Sequence, residues 1–127
     1  MEPIPAPVVE TLQANIDSVD QLEILRLVVG EPHVEHPASA LAAALHINLE
    51  VVEAGIAHLS ARGLLDSAKN PSLVCRHLAE GDPRRARVEA LVGAYVQRPV
   101  TIIKMVYEKP PSQIQSFSDA FRFKKES

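Results

Sequence analysis

Tryptophan is absent from this chain, cysteine occurs once, and two tyrosines and three phenylalanines are its only aromatic residues. A core with so few rings has to be assembled from Leu, Val, Ile and Ala. The lone thiol, Cys75, excludes an internal disulfide, as expected in a reducing cytoplasm. No apolar run approaches the roughly 18 residues of a membrane-crossing helix. The opening MEPIPAPVVE has neither the basic nor the apolar region of a secretory signal. The expected setting is therefore cytoplasmic, with no membrane partner. No Gly-rich phosphate loop, G-x-S-x-G or HExxH occurs, so neither enzymatic chemistry nor a cofactor is expected. His33-x-x-His36, between Glu31 and Glu35, offers two imidazoles but no partner thiol nearby. It reads as a polar loop rather than a metal site.

Cations are also scarce in the first half. Residues 1–61 contain Arg26 as their one Lys or Arg against nine acids, a balance of −8; residues 62–127 hold twelve cations and seven acids, a balance of +5. Such asymmetry marks halves that face different partners, or each other across a dimer; a solvated surface of uneven charge is the plainer alternative.

What is present is a series of helical periods. Residues 1–16 read as an arm in which Pro3, Pro5 and Pro7 oppose a regular helix, followed by a short helix on Val9, Leu12 and Ile16. Ser18 and Gln21 form a capping box for the next helix, which Gly30 and Pro32 stop. Leu22, Ile24, Leu25, Leu27, Val28 and Val29 make it apolar on more than one face, so it needs cover on two sides, from the C-terminal region or another subunit. After a polar loop over 31–37, Leu41, Ala42, Ala44 and Leu45 line a short helix. Asn48 caps a longer one, about 49–62, with Leu49, Val52, Ile56 and Leu59 inward and Gly63 as terminator. Residues 64–68 and 73–78 read as two strands joined by the turn Lys69-Asn70-Pro71-Ser72. Helix, turn, helix, glycine and hairpin is the order of a winged helix-turn-helix. The expected class is mostly α with a small β-hairpin wing over 17–80, plus a helical C-terminal extension over 81–127.

In that extension Asp82-Pro83 opens a helix whose Val88, Leu91, Val92, Tyr95 and Val96 keep a clean helical period. Pro99 predicts a break near Arg98. Residues 100–107 carry the β-branched content of a strand and the spacing of a helix, with helix preferred. Ile114, Phe117 and Phe121 mark a last short helix after Pro110-Pro111, ahead of the basic tail Arg122 to Lys125.

The pattern HPASALAAALHINLEVVEAGIAHLSARGLLD resembles the winged-helix domain of small bacterial regulators, broadly MarR-like, and RPVTIIKMVYEKPPSQIQSFSDAF is similar to the tails of short bacterial winged-helix proteins. The resemblance implies flanking helices that build a homodimer, with Val88, Leu91, Val92, Tyr95 and Val96 as the candidate dimer face. A winged helix that reads duplex DNA needs cations for phosphates and polar side chains for base edges. Here the outward face of the 49–62 helix is Glu50, Glu53, Ala54, Ala57, His58 and Ala61. Two carboxylates and three methyls suit another protein better than a polyanion. The expected role is a regulatory protein-interaction module. The alternative is a DNA-binding transcriptional regulator whose phosphate contacts come from Arg62, Lys69, Arg76, Arg84, Arg85 and Arg87. The last three also read as a solvated face paired with Glu80 and Glu89.

Overall fold

Helix starts and stops in this chain are set by a few polar side chains and by proline. The structure, a computed structural model, describes residues 3–69 and 72–108. Helix α1 spans Ala6–Asn15, earlier than the proline arm predicts. Pro7 lies in its first turn, where no intrahelical N–H is required, so proline opens the helix instead of blocking it. Ser18 caps α2 (Val19–Gly30), its Oγ accepting from Gln21 N–H. The return arm of the box reaches one residue further back: Gln21 Oε1 accepts from Asp17 N–H at 2.7 Å. Gly30 is the last residue of α2, where the helix is expected to stop.

Residues 36–37 are not loop. His36–Pro37 form a short strand, β1, directly before α3 (Ala38–Leu45). His46 takes a left-handed conformation (φ +57°), Ile47 N–H returns to Ala42 O, and Asn48 Oδ1 accepts from Glu50 N–H at 2.7 Å to start α4, Leu49–Ala61. Gly63, at φ +78°, turns the chain into β2 (Asp66–Lys69), and β3 (Leu73–Arg76) returns. The sheet is antiparallel throughout, in the order β1-β3-β2, with His36 opposite Cys75 and Ser67 opposite the same residue on the other side. The expected two-stranded hairpin is therefore a three-stranded sheet. Both strands of the hairpin are shorter than their apolar runs predict, because Leu64, Leu65 and Leu78 are core residues beyond the ladder.

Asp82 and Pro83 precede the next helix without entering it. Asp82 O accepts from Arg85 N–H, a turn that delays α5 to Arg85–Gln97. Arg98 breaks the chain, and α6 (Pro99–Tyr107) follows as a helix, resolving the strand alternative. Pro99 supplies a preset φ at its start, and Ile102 and Val106 give it a buried face. The expected helix on Ile114, Phe117 and Phe121 lies outside the described residues.

The protein is thus mostly helical with a small antiparallel sheet. Helix α2 sits at its centre, packed against α4 on one side and α5 on the other, so the C-terminal region supplies the second cover its composition requires. Side chains from Val8 in α1 to Val106 in α6 join one hydrophobic cluster. Among the described residues no single helix is long and apolar enough to cross a membrane.

Candidate interaction face

The outward face of α4 begins with its cap. Asn48 places Glu50 in the first turn, where a carboxylate lies at the positive end of the helix dipole. Val52, Gly55, Ile56 and Leu59 turn inward and are buried. Glu50, Glu53, Ala54, Ala57 and Ala61 are exposed, as the spacing predicts. Leu49, expected inward, is instead 42% exposed, and Val51 is 43% exposed. Ala40, Ala43 and Ala44 of α3 are exposed too. The two helices meet at a bend of 118°. Together they present methyl and isopropyl groups, with Glu50 and Glu53 as the only formal charges on the exposed side of α4 before Arg62.

His58 is not a free member of this face. Its Nε2–H donates to Asn15 O at 2.6 Å and lies 3.5 Å from Asp17 Oδ2. Arg62 works alongside it: Nε donates to Asn15 Oδ1 at 3.1 Å and Nη2 to Ala14 O. His58 of α4 and Arg62, just past its end, thus cap the carbonyl end of α1. The sequence hides this clamp, because its partners are more than 40 residues apart.

Three of the other candidate phosphate contacts, Arg76, Arg84 and Arg85, also face protein groups. Arg84 meets Asp82 bidentately, at 3.0 and 2.7 Å, and these hydrogen bonds hold the Asp82 carboxyl down to about 2. Arg85 is mostly buried, donating to Leu78 O and to Glu89 Oε2, both at 3.0 Å. Arg76 lies 3.9 Å from Glu35, both half in solvent, a weak pairing. Lys69 is exposed on the hairpin, and Arg87 lines a cleft of about 270 Å³ with Glu10, Thr11 and Asn15.

The candidate dimer face needs correction. Val88, Leu91, Val92 and Tyr95 are buried within this chain, where α5 meets α1, α2 and α6; only Val96 of the five remains exposed. Tyr95 OH donates to Glu23, which also accepts from Arg26 at 2.7 Å. Both hydrogen bonds lower the Glu23 carboxyl, the Arg26 one most, while burial and the Glu23 charge push the Tyr95 phenol up to about 12.

Two further groups are inward. Cys75 is buried, and desolvation lifts its thiol to about 12, away from the thiolate form that reacts. His77 is fully buried, its Nε2–H donating to Glu89 at 3.1 Å; its Nδ1 has no hydrogen-bond partner among the described residues. His36 faces Glu31 O from β1, apart from exposed His33, and no group of three potential metal ligands occurs among the described residues. A cleft of about 220 Å³ over the sheet brings Glu35 and Asp66 near Arg76 and Ser67.

Models of known families, curated proteins and solved structures contain no match to this chain.

Proposed function

We propose that this chain is a winged helix-turn-helix protein of the cytoplasm that acts as a regulatory protein-interaction module, docking its partner on the outward face of α4 and the adjoining surface of α3. The element order supports the winged-helix reading: helix, strand, helix, turn, helix, two strands, with β1 pairing the return strand of the hairpin. So does the bend of 118°, within the range of about 90–120° for helix-turn-helix pairs.

One observation carries the interaction reading. The helix placed to read bases exposes Glu50, Glu53, Leu49, Val51 and three alanines, while Arg62, Arg84 and Arg85 are tied to α1, Asp82, Glu89 and the Leu78 carbonyl. Engaging phosphates would require breaking those contacts, and ordinary duplex binders use about 6–10 phosphate contacts. A partner helix needs no such rearrangement: the alanines permit close backbone approach, and Leu49 and Val51 supply apolar anchors.

Transcription regulation through DNA is the second reading, favoured by exposed Lys69 on the hairpin and by Arg87. Fluorescence anisotropy with duplex fragments from around the protein's own gene, at about 50 and about 200 mM salt, separates the two. The expected result is no binding at tens of micromolar at the lower salt. Tight, competitor-resistant binding that weakens steeply with salt overturns the interaction reading. Once a partner is in hand, Ala57→Arg is expected to abolish its binding while leaving the thermal transition of the exposed-site variant unchanged.

A further inference from the structure

Helix α6 has a second apolar side. Ile102 and Val106 face the core, yet Val100 and Tyr107 are each 77% exposed, with Ile103 half-buried between them. Positions 100, 103 and 107 fall on one helical face. Val96, 58% exposed at the end of α5, lies next to the break at Arg98 and adds to the apolar surface at the α5–α6 joint. The face is distinct from the α3–α4 surface and does not depend on the function proposed for it.

The chain continues past Glu108 for another 19 residues, outside the described region. These include Ile114, Phe117 and Phe121, spaced by 3 and 4, and all three phenylalanines of the protein, Phe117, Phe121 and Phe123. The core formed by the described residues contains no phenylalanine. Phenylalanine side chains carry a large drive for burial, and among the described residues the exposed apolar surface next to them along the chain is the face of α6. The sequence Pro110-Pro111 opposes continuation of that helix. From Glu108 to Gln113 the connection reaches up to about 18 Å at 3.3–3.6 Å per residue. The nine residues of α6 span about 13.5 Å.

We propose that residues 112–123 of the same chain cover this face, with Ile114, Phe117 and Phe121 lying against Tyr107, Ile103, Val100 and Val96. A second copy is the weaker occupant. A face four side chains long falls far short of the roughly 1,200–2,000 Å² that a stable dimer buries, whereas a tethered segment has an effective concentration near the millimolar range and needs little area.

Because the chain lacks tryptophan, Phe117→Trp in the full-length protein is a unique reporter, and Phe121→Trp is an independent second one. The expected result is emission shifted to the blue of the same Trp in an isolated 109–127 peptide. The shift is expected to be independent of protein concentration, at a monomeric mass by sedimentation. Adding Val100→Lys or Tyr107→Lys is expected to return the emission to the peptide's position. Both sites are solvent-exposed, so circular dichroism of these variants is expected to stay unchanged. Emission at the peptide's position in both reporters overturns the proposal. So does a blue shift that survives Val100→Lys and Tyr107→Lys, which places the tail elsewhere. A shift that grows with concentration alongside a dimeric mass also overturns it and assigns the face to a second copy.

Discussion

Gly63 and Gly55 do opposite jobs. Gly63 holds φ +78° at the end of α4, and a Cβ there would stand 2.7 Å from Arg84 Nη1. Gly63→Ala should therefore lower stability by about 1–2 kcal/mol, chiefly from the left-handed backbone, as read by urea unfolding. Gly55 lets α4 approach α2: its added Cβ would meet Ile24 Cδ1 at 2.8 Å. Ile24 is fully buried, so Gly55→Leu should overpack the α2–α4 seam and cost about 3 kcal/mol. Cys75, raised to about 12 by burial, should resist thiol reagents at pH 8 in the native protein and react at the ordinary rate in denaturant; rapid native labelling would show that β3 opens. Glu23 has a lowered carboxyl pKa, so its stabilising contribution is present above the ordinary carboxylate range and is lost as pH falls through the lowered value. Tyr95 has the opposite sign: its contribution is whole below the ordinary phenol value and is lost as pH rises from about 10 to about 12. Glu23→Gln should cost about 1 kcal/mol at pH 7, with the difference from wild type vanishing in strong acid.

At the scale of elements, α1 is held by its carbonyl end. His58 and Arg62 donate to Ala14 and Asn15, groups an unclamped helix end would leave to water. Arg62→Ala should remove about 1 kcal/mol and speed amide exchange in α1 while leaving α2 protected; uniform acceleration across both helices would mean α1 opens only with the whole core. This clamp gives Arg62 a structural role that competes with phosphate binding. The same scale explains where local reading failed. Residues 36–37 carry no strand period, and they pair only because β3 offers a free edge. The α5 period from Val88 to Tyr95 was legible as apolar, but periodicity reports that a face is covered and not by what. Here α1, α2 and α6 cover it.

For the whole molecule, the charge division of −8 and +5 resolves partly within the chain. Glu35 of the acidic half lies 3.9 Å from Arg76 of the basic half, and α1 packs on α5 with Glu10 and Arg87 lining one cleft. The basic half is further neutralised by its own acids, Asp82 and Glu89. Charge reversal at Arg84 and Arg85 should therefore act first on stability. Should the chain bind duplex DNA, that double variant is expected to leave the salt slope of binding nearly unchanged, whereas reversal at Lys69 and Arg87 should flatten it.

The sequence by itself determined the local punctuation: the Ser18 and Asn48 caps, the Gly63 turn, the break at Arg98, and the inward stripe of Val52, Ile56 and Leu59. Each depends on interactions within a few residues, which spacing encodes directly. It also determined that Glu50, Glu53, Ala54, Ala57 and Ala61 face outward from α4, since helical spacing alone sets them opposite the buried stripe. Tertiary structure alone decided that β1 joins the sheet, that α5 serves the chain's own core, that His58 and Arg62 grip α1, and that His77 is buried against Glu89. Those contacts join residues far apart in the chain, and no local period distinguishes a cation that waits for a ligand from one that already holds a carbonyl.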